Sequence, residues 1–168
     1  MSIFSKLFHK DEKKEEAAKT ADPNVVELPC GKFIYADDDP DEIGYEGERE
    51  WYEKTSDLYY QPVEVFIEVD TPGTKDAGLG FERFTRLYED RERIDFKMKL
   101  AVAEAADYAD RMSRDEFIEK SKIVFISVYS SGKRVFHVEH PRTRDGKSDA
   151  QVIYDEHDKT TVTEGFDV

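Results

Sequence analysis

The chain has 168 residues and a formal net charge of −14, from 25 Lys and Arg against 39 Asp and Glu. That length suits one domain and leaves no room for two large ones, while 11 Phe, 9 Tyr and 1 Trp are too many aromatics for a disordered chain. So acidic a chain repels phosphate backbones, which argues against nucleic-acid binding and in favour of basic partners.

Residues 1–24 read as a flexible tail. Ile3, Phe4, Leu7 and Phe8 fall on one face of a short amphipathic helix. Such a helix is too short to be stable alone in water, so it is expected to fray or to dock on a partner, a membrane surface or its own domain. The remainder of the tail has no apolar residue beyond Ala, and Pro23 stops any helix. The chain shows neither a membrane-spanning apolar run nor a secretory h-region. Cys30 is the single cysteine, so no internal disulfide or thiolate cluster can form, which fits a reducing, cytoplasmic setting. Cys30 itself is expected to be buried and inert.

A single domain, residues 25–168, follows. VVELP and KFIYA read as short strands around a Pro29-Cys30-Gly31 turn. The stretch Asp37–Asp57 is an acidic loop with ten acids against Arg49 and Lys54, a net of −8. Within it, Glu48 to Glu53 is expected to form a strand, with Trp51 as a core anchor. From Leu58 to Asp70, Val63, Val65, Ile67 and Val69 alternate with Glu64, Phe66 and Glu68. That is the period of a strand with one buried face and one mostly wet face. Pro72-Gly73 closes it with a turn.

From Lys75 to Arg114 apolar residues return every three or four positions (Phe81, Phe84, Tyr88, Ile94, Met98, Val102 among them), the stripe of an amphipathic helix. One straight helix of that length would outrun a domain this size. The stripe also skips a turn within EDRERID, so a break is expected between Glu89 and Asp95. Ser113 and Glu116 fit a capping box opening a short helix. Ile123–Tyr129 is a strand, Ser130-Ser131-Gly132 a hairpin turn, and Arg134–His140 the returning strand. After an Asp145-Gly146 turn, Ala150–Tyr154 forms another strand, and Thr160–Thr163 a last edge. The predicted fold is α+β: an antiparallel sheet built from N- and C-terminal strands, with two central helices (or one bent helix) and a short capped helix on one face.

Several residue groups carry possible chemistry. Asp37, Asp39, Asp41 and Glu48 occupy positions of a calcium-loop pattern, but Glu42 stands where the sharp turn needs Gly. The simpler reading of Asp37, Asp38, Asp39, Asp41 and Glu42 is a solvated acidic segment that meets a basic partner, with Trp51 and Tyr52 beside it as recognition aromatics. His137 and His140 form an H-x-x-H pair, and zinc would need both imidazoles to converge. On a strand, a separation of three puts them on opposite faces. Gly78-Leu79-Gly80 opens a helix and reads as a flexible helix start. No phosphate-binding, dinucleotide-binding, nucleophile-elbow or zincin motif is present, so no cofactor is implied.

The order of these segments is familiar: Trp51-Tyr52, then VEVFIEVD, then RLYEDRERIDFKMKLAVAEAADYAD, then SRDEFIEKSKIVFISVYSSGKRVF, then a DG turn and a closing strand. Over Gly31 to Tyr154 it resembles the uncharacterised bacterial domain-of-unknown-function family 2262. Where that family tends to show Gly-His before its last strands, this chain has Phe136-His137. The resemblance implies the architecture. It implies no activity, substrate or cofactor, and carries no active-site residue across.

Three functions are therefore in view. The favoured one is a non-enzymatic protein-interaction module that binds a basic protein partner through its acidic segment. The alternative is a metal-dependent hydrolase-like enzyme using His137, His140 and nearby carboxylates. The third is weak membrane-surface contact through Ile3, Phe4, Leu7 and Phe8, which the acidic body opposes at anionic lipid.

Overall fold

The computed structural model describes residues 22–38, 43–49, 63–106, 112–141 and 147–164. They form an α+β fold of eight strands and three helices. The strands are β1 (Val25–Leu28), β2 (Gly31–Ala36), β3 (Gly44–Arg49) and β4 (Val63–Glu68), then β5 (Lys122–Val128), β6 (Arg134–Pro141), β7 (Lys147–Tyr154) and β8 (Thr160–Glu164). Between β4 and β5 lie α1 (Gly78–Glu89), α2 (Arg91–Ala105) and α3 (Arg114–Lys120). All eight strands join one sheet in sequence order.

The sheet is not antiparallel throughout, as the sequence suggested. β4 and β5 run parallel, with Val65 opposite Ile126 and Ile67 opposite Val128, while every other neighbouring pair is antiparallel. The physical reason is the connection. A tight hairpin returns the chain antiparallel, whereas a helical crossover delivers the next strand in the same direction. The three helices form that crossover. Two antiparallel meanders, β1–β4 and β5–β8, thus share a parallel seam at the centre of the sheet.

The helices pack on one face. Phe33 on β2 meets Phe81 and Phe84 of α1 at 5.5 and 5.6 Å between ring centroids, and Tyr45 on β3 meets Phe81 at 4.9 Å. Val63, Val65, Ile67 and Val69, the alternating set of β4, are all buried there. So are Ile126 and Val128 from β5, Phe136 and Val138 from β6, and Ala150, Val152 and Tyr154 from β7. Helix α1 lies so close to β4 that a Cβ on Gly80 would stand 2.5 Å from Ile67 Cγ2. Cys30 is buried at the edge of this core.

The helical break falls at Asp90, inside the expected interval. The Arg93 guanidinium donates to the Asp90 carboxylate from the next turn. At α3 the Ser113 hydroxyl accepts from the Glu116 amide at 3.2 Å, the N-cap bond expected. The Glu116 carboxylate accepts from Lys120 at 2.7 Å.

Strand boundaries differ from the sequence reading around β3, and β7 starts at Lys147 rather than Ala150. β3 starts at Gly44, inside the stretch expected to be an acidic loop. The cause is again pairing: Gly44–Arg49 fill the register between Ala36 on one side and Val63–Glu68 on the other. The strand expected over Glu48–Glu53 overlaps β3 at Glu48 and Arg49 only, and Trp51, like the Leu58 end of the β4 prediction, lies outside the described residues.

Candidate functional site: the helix-free face of the sheet

Among the described residues no helix covers the second face of the sheet. One register row crosses it on all eight strands: Val25, Ile34, Glu46, Phe66, Ser127, Val135, Ile153 and Thr161. Successive residues of a strand face opposite ways, so this row is the counterpart of the core row beneath it. It is not uniformly wet. Phe66 is 6% exposed, and Ser127 and Val135 are 4% exposed. Phe66 gains that burial by lying across β3 where Gly44 has no side chain, because a Cβ there would collide with its ring. Ile34 is the opposite case, an apolar side chain 52% exposed on the same row.

A second aromatic, Phe125, reaches this face next to a backbone irregularity. Ile123 and Ile126 are both in the core although they are three positions apart, which a regular strand forbids. The register of β5 against β6 shifts between Ile123 and Phe125. That bulge absorbs one residue and returns Ile123 to the core, while Phe125 alternates with the core residues Ile126 and Val128 and so stands on the helix-free side. There Phe125 meets the His137 ring edge-on at 5.3 Å.

Together these residues form an open depression of about 600 Å³ over β2–β5. Ile34, Phe66 and Phe125 supply its apolar lining, and Glu46, Glu64 and Lys32 its charged residues. Lys32 stands in register with Glu27. Glu46 and Glu64 are exposed and enter no ion pair or hydrogen bond among the described residues. Glu64 is also in register with Glu48, so acidic positions adjoin across β3 and β4. Glu68, the next acid along β4, has a different role. Its carboxylate accepts from the Ser130 amide and hydroxyl at 2.7 and 2.6 Å and ties the β5–β6 turn to β4.

Of the acidic segment singled out in the sequence, Asp37 and Asp38 are described and exposed, directly after Ala36, which also lines the depression. Asp39, Asp41, Glu42, Trp51 and Tyr52 lie outside the described residues, as do Ile3, Phe4, Leu7 and Phe8.

The histidines do not form the pair that the metal reading requires. His137 stands on the helix-free face, in register with Phe125 and Gln151, and shares a 3.3 Å contact with the Gln151 side-chain amide. His140 stands on the helix side, its ring 5.4 Å from that of Phe117 on α3. The sheet separates them, as the spacing of three dictates. Among the described residues no three His, Cys, Asp or Glu side chains gather in a metal-holding group. Burial holds the His137 imidazole below the usual histidine value, with Asp149 acting in the opposite direction.

Ile34, Glu46, Glu64, Phe66 and Phe125 were not singled out from the sequence as site residues. Phe66 carried a signal, an aromatic in the polar phase of an otherwise regular alternation. Phe125 carried only its alternation with Ile126 and Val128, which the apolar Ile123, out of phase with them across the bulge, obscures. No helix among the described residues is long and apolar enough to cross a membrane. Comparisons with family models, curated proteins and solved structures return no match for the chain.

Proposed function

We propose that this protein is a non-enzymatic interaction module whose partner is a basic, partly apolar protein segment, bound on the helix-free face of the sheet. One observation carries the reading: an open depression that pairs exposed or reachable apolar groups, Ile34, Phe66 and Phe125, with Glu46 and Glu64, acids that have no internal partner among the described residues. Apolar contacts in such a recess supply affinity. Acids around it, extended by Asp37 and Asp38, steer a cationic partner and reject an acidic one. The chain's overall charge of −14 acts in the same sense at longer range.

The test is a titration with a synthetic peptide alternating Lys and Phe, beside poly-lysine and an alternating Glu and Phe peptide. The Lys-Phe peptide should bind best, and E46K/E64K should weaken it by about tenfold or more, since each close opposite-charge pair converted to a like-charge contact costs on the order of 1 kcal/mol or more. Equal binding by the double variant, or a preference for the acidic peptide, rejects the proposal.

A further inference from the structure

We infer that the depression is occupied in cis by the chain's own N-terminal segment, Met1–Lys10, which a partner must displace. The inference rests on the reading of the depression as a site for a cationic, apolar segment. The chain contains a segment of that composition. Met1–Lys10 carries Ile3, Phe4, Leu7 and Phe8 with Lys6 and Lys10, and no acid. Its apolar groups match Ile34, Phe66 and Phe125, and its lysines match Glu46, Glu64 and the nearby Asp37 and Asp38.

The connection is short enough to be specific and long enough to reach. The described chain enters at Asp22, whose carbonyl accepts from the Val25 amide at the start of β1. β1 pairs with β2, and Lys32, Ile34 and Ala36 of β2 form one wall of the depression. Neighbouring strands lie ~4.8 Å apart, so the site begins about one strand from the entry point. Residues 11–21 span at most roughly 35–40 Å when extended, several times that separation.

Other occupants fit less well. A second copy of the chain would bring a net charge of −14 against an acidic rim, and like charges across an interface repel. An anionic lipid surface meets the same opposition. A free basic partner competes with a tethered segment whose effective concentration is on the order of millimolar. The tail then sets a threshold that only a tighter partner passes.

The experiment compares the full-length chain with its I3S/F4S/L7S/F8S variant by amide NMR and by titration with the Lys-Phe peptide. Removing the apolar face of the tail should shift the amides of Ile34, Glu46, Phe66 and Phe125. It should also strengthen peptide binding by about tenfold as the internal competitor is lost. Identical spectra at those amides together with unchanged affinity overturn the inference. The two readings fail separately. If E46K/E64K introduced into the tail variant leaves its peptide binding unchanged, the site is wrong. If it weakens binding there while the tail variant by itself changes nothing, the site stands and its occupancy by the tail is wrong.

Discussion

At the scale of single residues, burial on the helix-free face has an electrostatic consequence at His137. Its imidazole is partly buried between Phe125 and Gln151, and its titration is held below the usual histidine value chiefly by that burial. Protonation therefore costs solvation. In the unfolded chain the ring titrates near 6.5, so between there and the lower folded value the unfolded state binds the extra proton. The contribution of His137 is fully present above about pH 6.5 and is lost as pH falls toward the folded value. Thermal unfolding from pH 7.5 to 5 should show a fall in Tm for the unaltered protein that is shallower in H137Q. Parallel curves for the two proteins would show that the ring titrates as if unfolded. Asp149 and Glu139, on the same face, are unchanged in that comparison.

At the scale of elements, the sequence was most legible where a local rule acts alone. The skipped turn in EDRERID marked the break at Asp90, Ser113 marked the start of α3, and the valines of β4 marked its buried side. It was least legible where an element's limits depend on a distant neighbour. Gly44–Arg49 has few strand-forming side chains beyond Tyr45 and is a strand because β2 and β4 flank it. The bulge in β5 is likewise a property of its pairing with β6, and with it goes the return of Ile123 to the core. Gly78-Leu79-Gly80 read as a flexible helix start, yet Gly80 is buried against Ile67 as a point of close approach between α1 and β4. A methyl group there must push the helix from the strand or turn Ile67 out of its rotamer. Overpacking of this kind costs about 1–3 kcal/mol, or roughly 2–10 °C in Tm for a domain of this size. G80A should show that loss in calorimetry, and G78A, which has open space at its Cβ apart from Asp76 Oδ1 at 3.4 Å, should not. Equal Tm values for the two variants would mean that α1 is free to shift.

At the scale of the whole molecule, side-chain alternation reports which face of a strand is buried but not which way the strand runs, since parallel and antiparallel strands share the period of two. The parallel seam between β4 and β5 follows instead from the length and helicity of the crossover. Charge is a second whole-molecule property, and here two effects compete. Arg86–Glu82, Arg93–Asp90 and Lys120–Glu116 are helix-surface pairs with both partners about half exposed or more, where solvent screening leaves an ion pair little net stabilisation. Against them stands the mutual repulsion of 39 acids facing 25 bases, an unfavourable term spread over the folded surface and relaxed on unfolding. Salt screens both, but the repulsion sums over many pairs of acids at separations comparable to the ~10 Å screening length, whereas each of these helix-surface pairs is a single contact-range interaction. Screening therefore removes more repulsion than attraction. Raising sodium chloride from about 0.01 to 0.2 M should raise Tm by several degrees. The rise should be smaller in E46K/E64K, which brings the net charge from −14 to −10. A Tm that falls with salt would mean that the surface pairs outweigh the repulsion, and that the excess of acid is locally compensated.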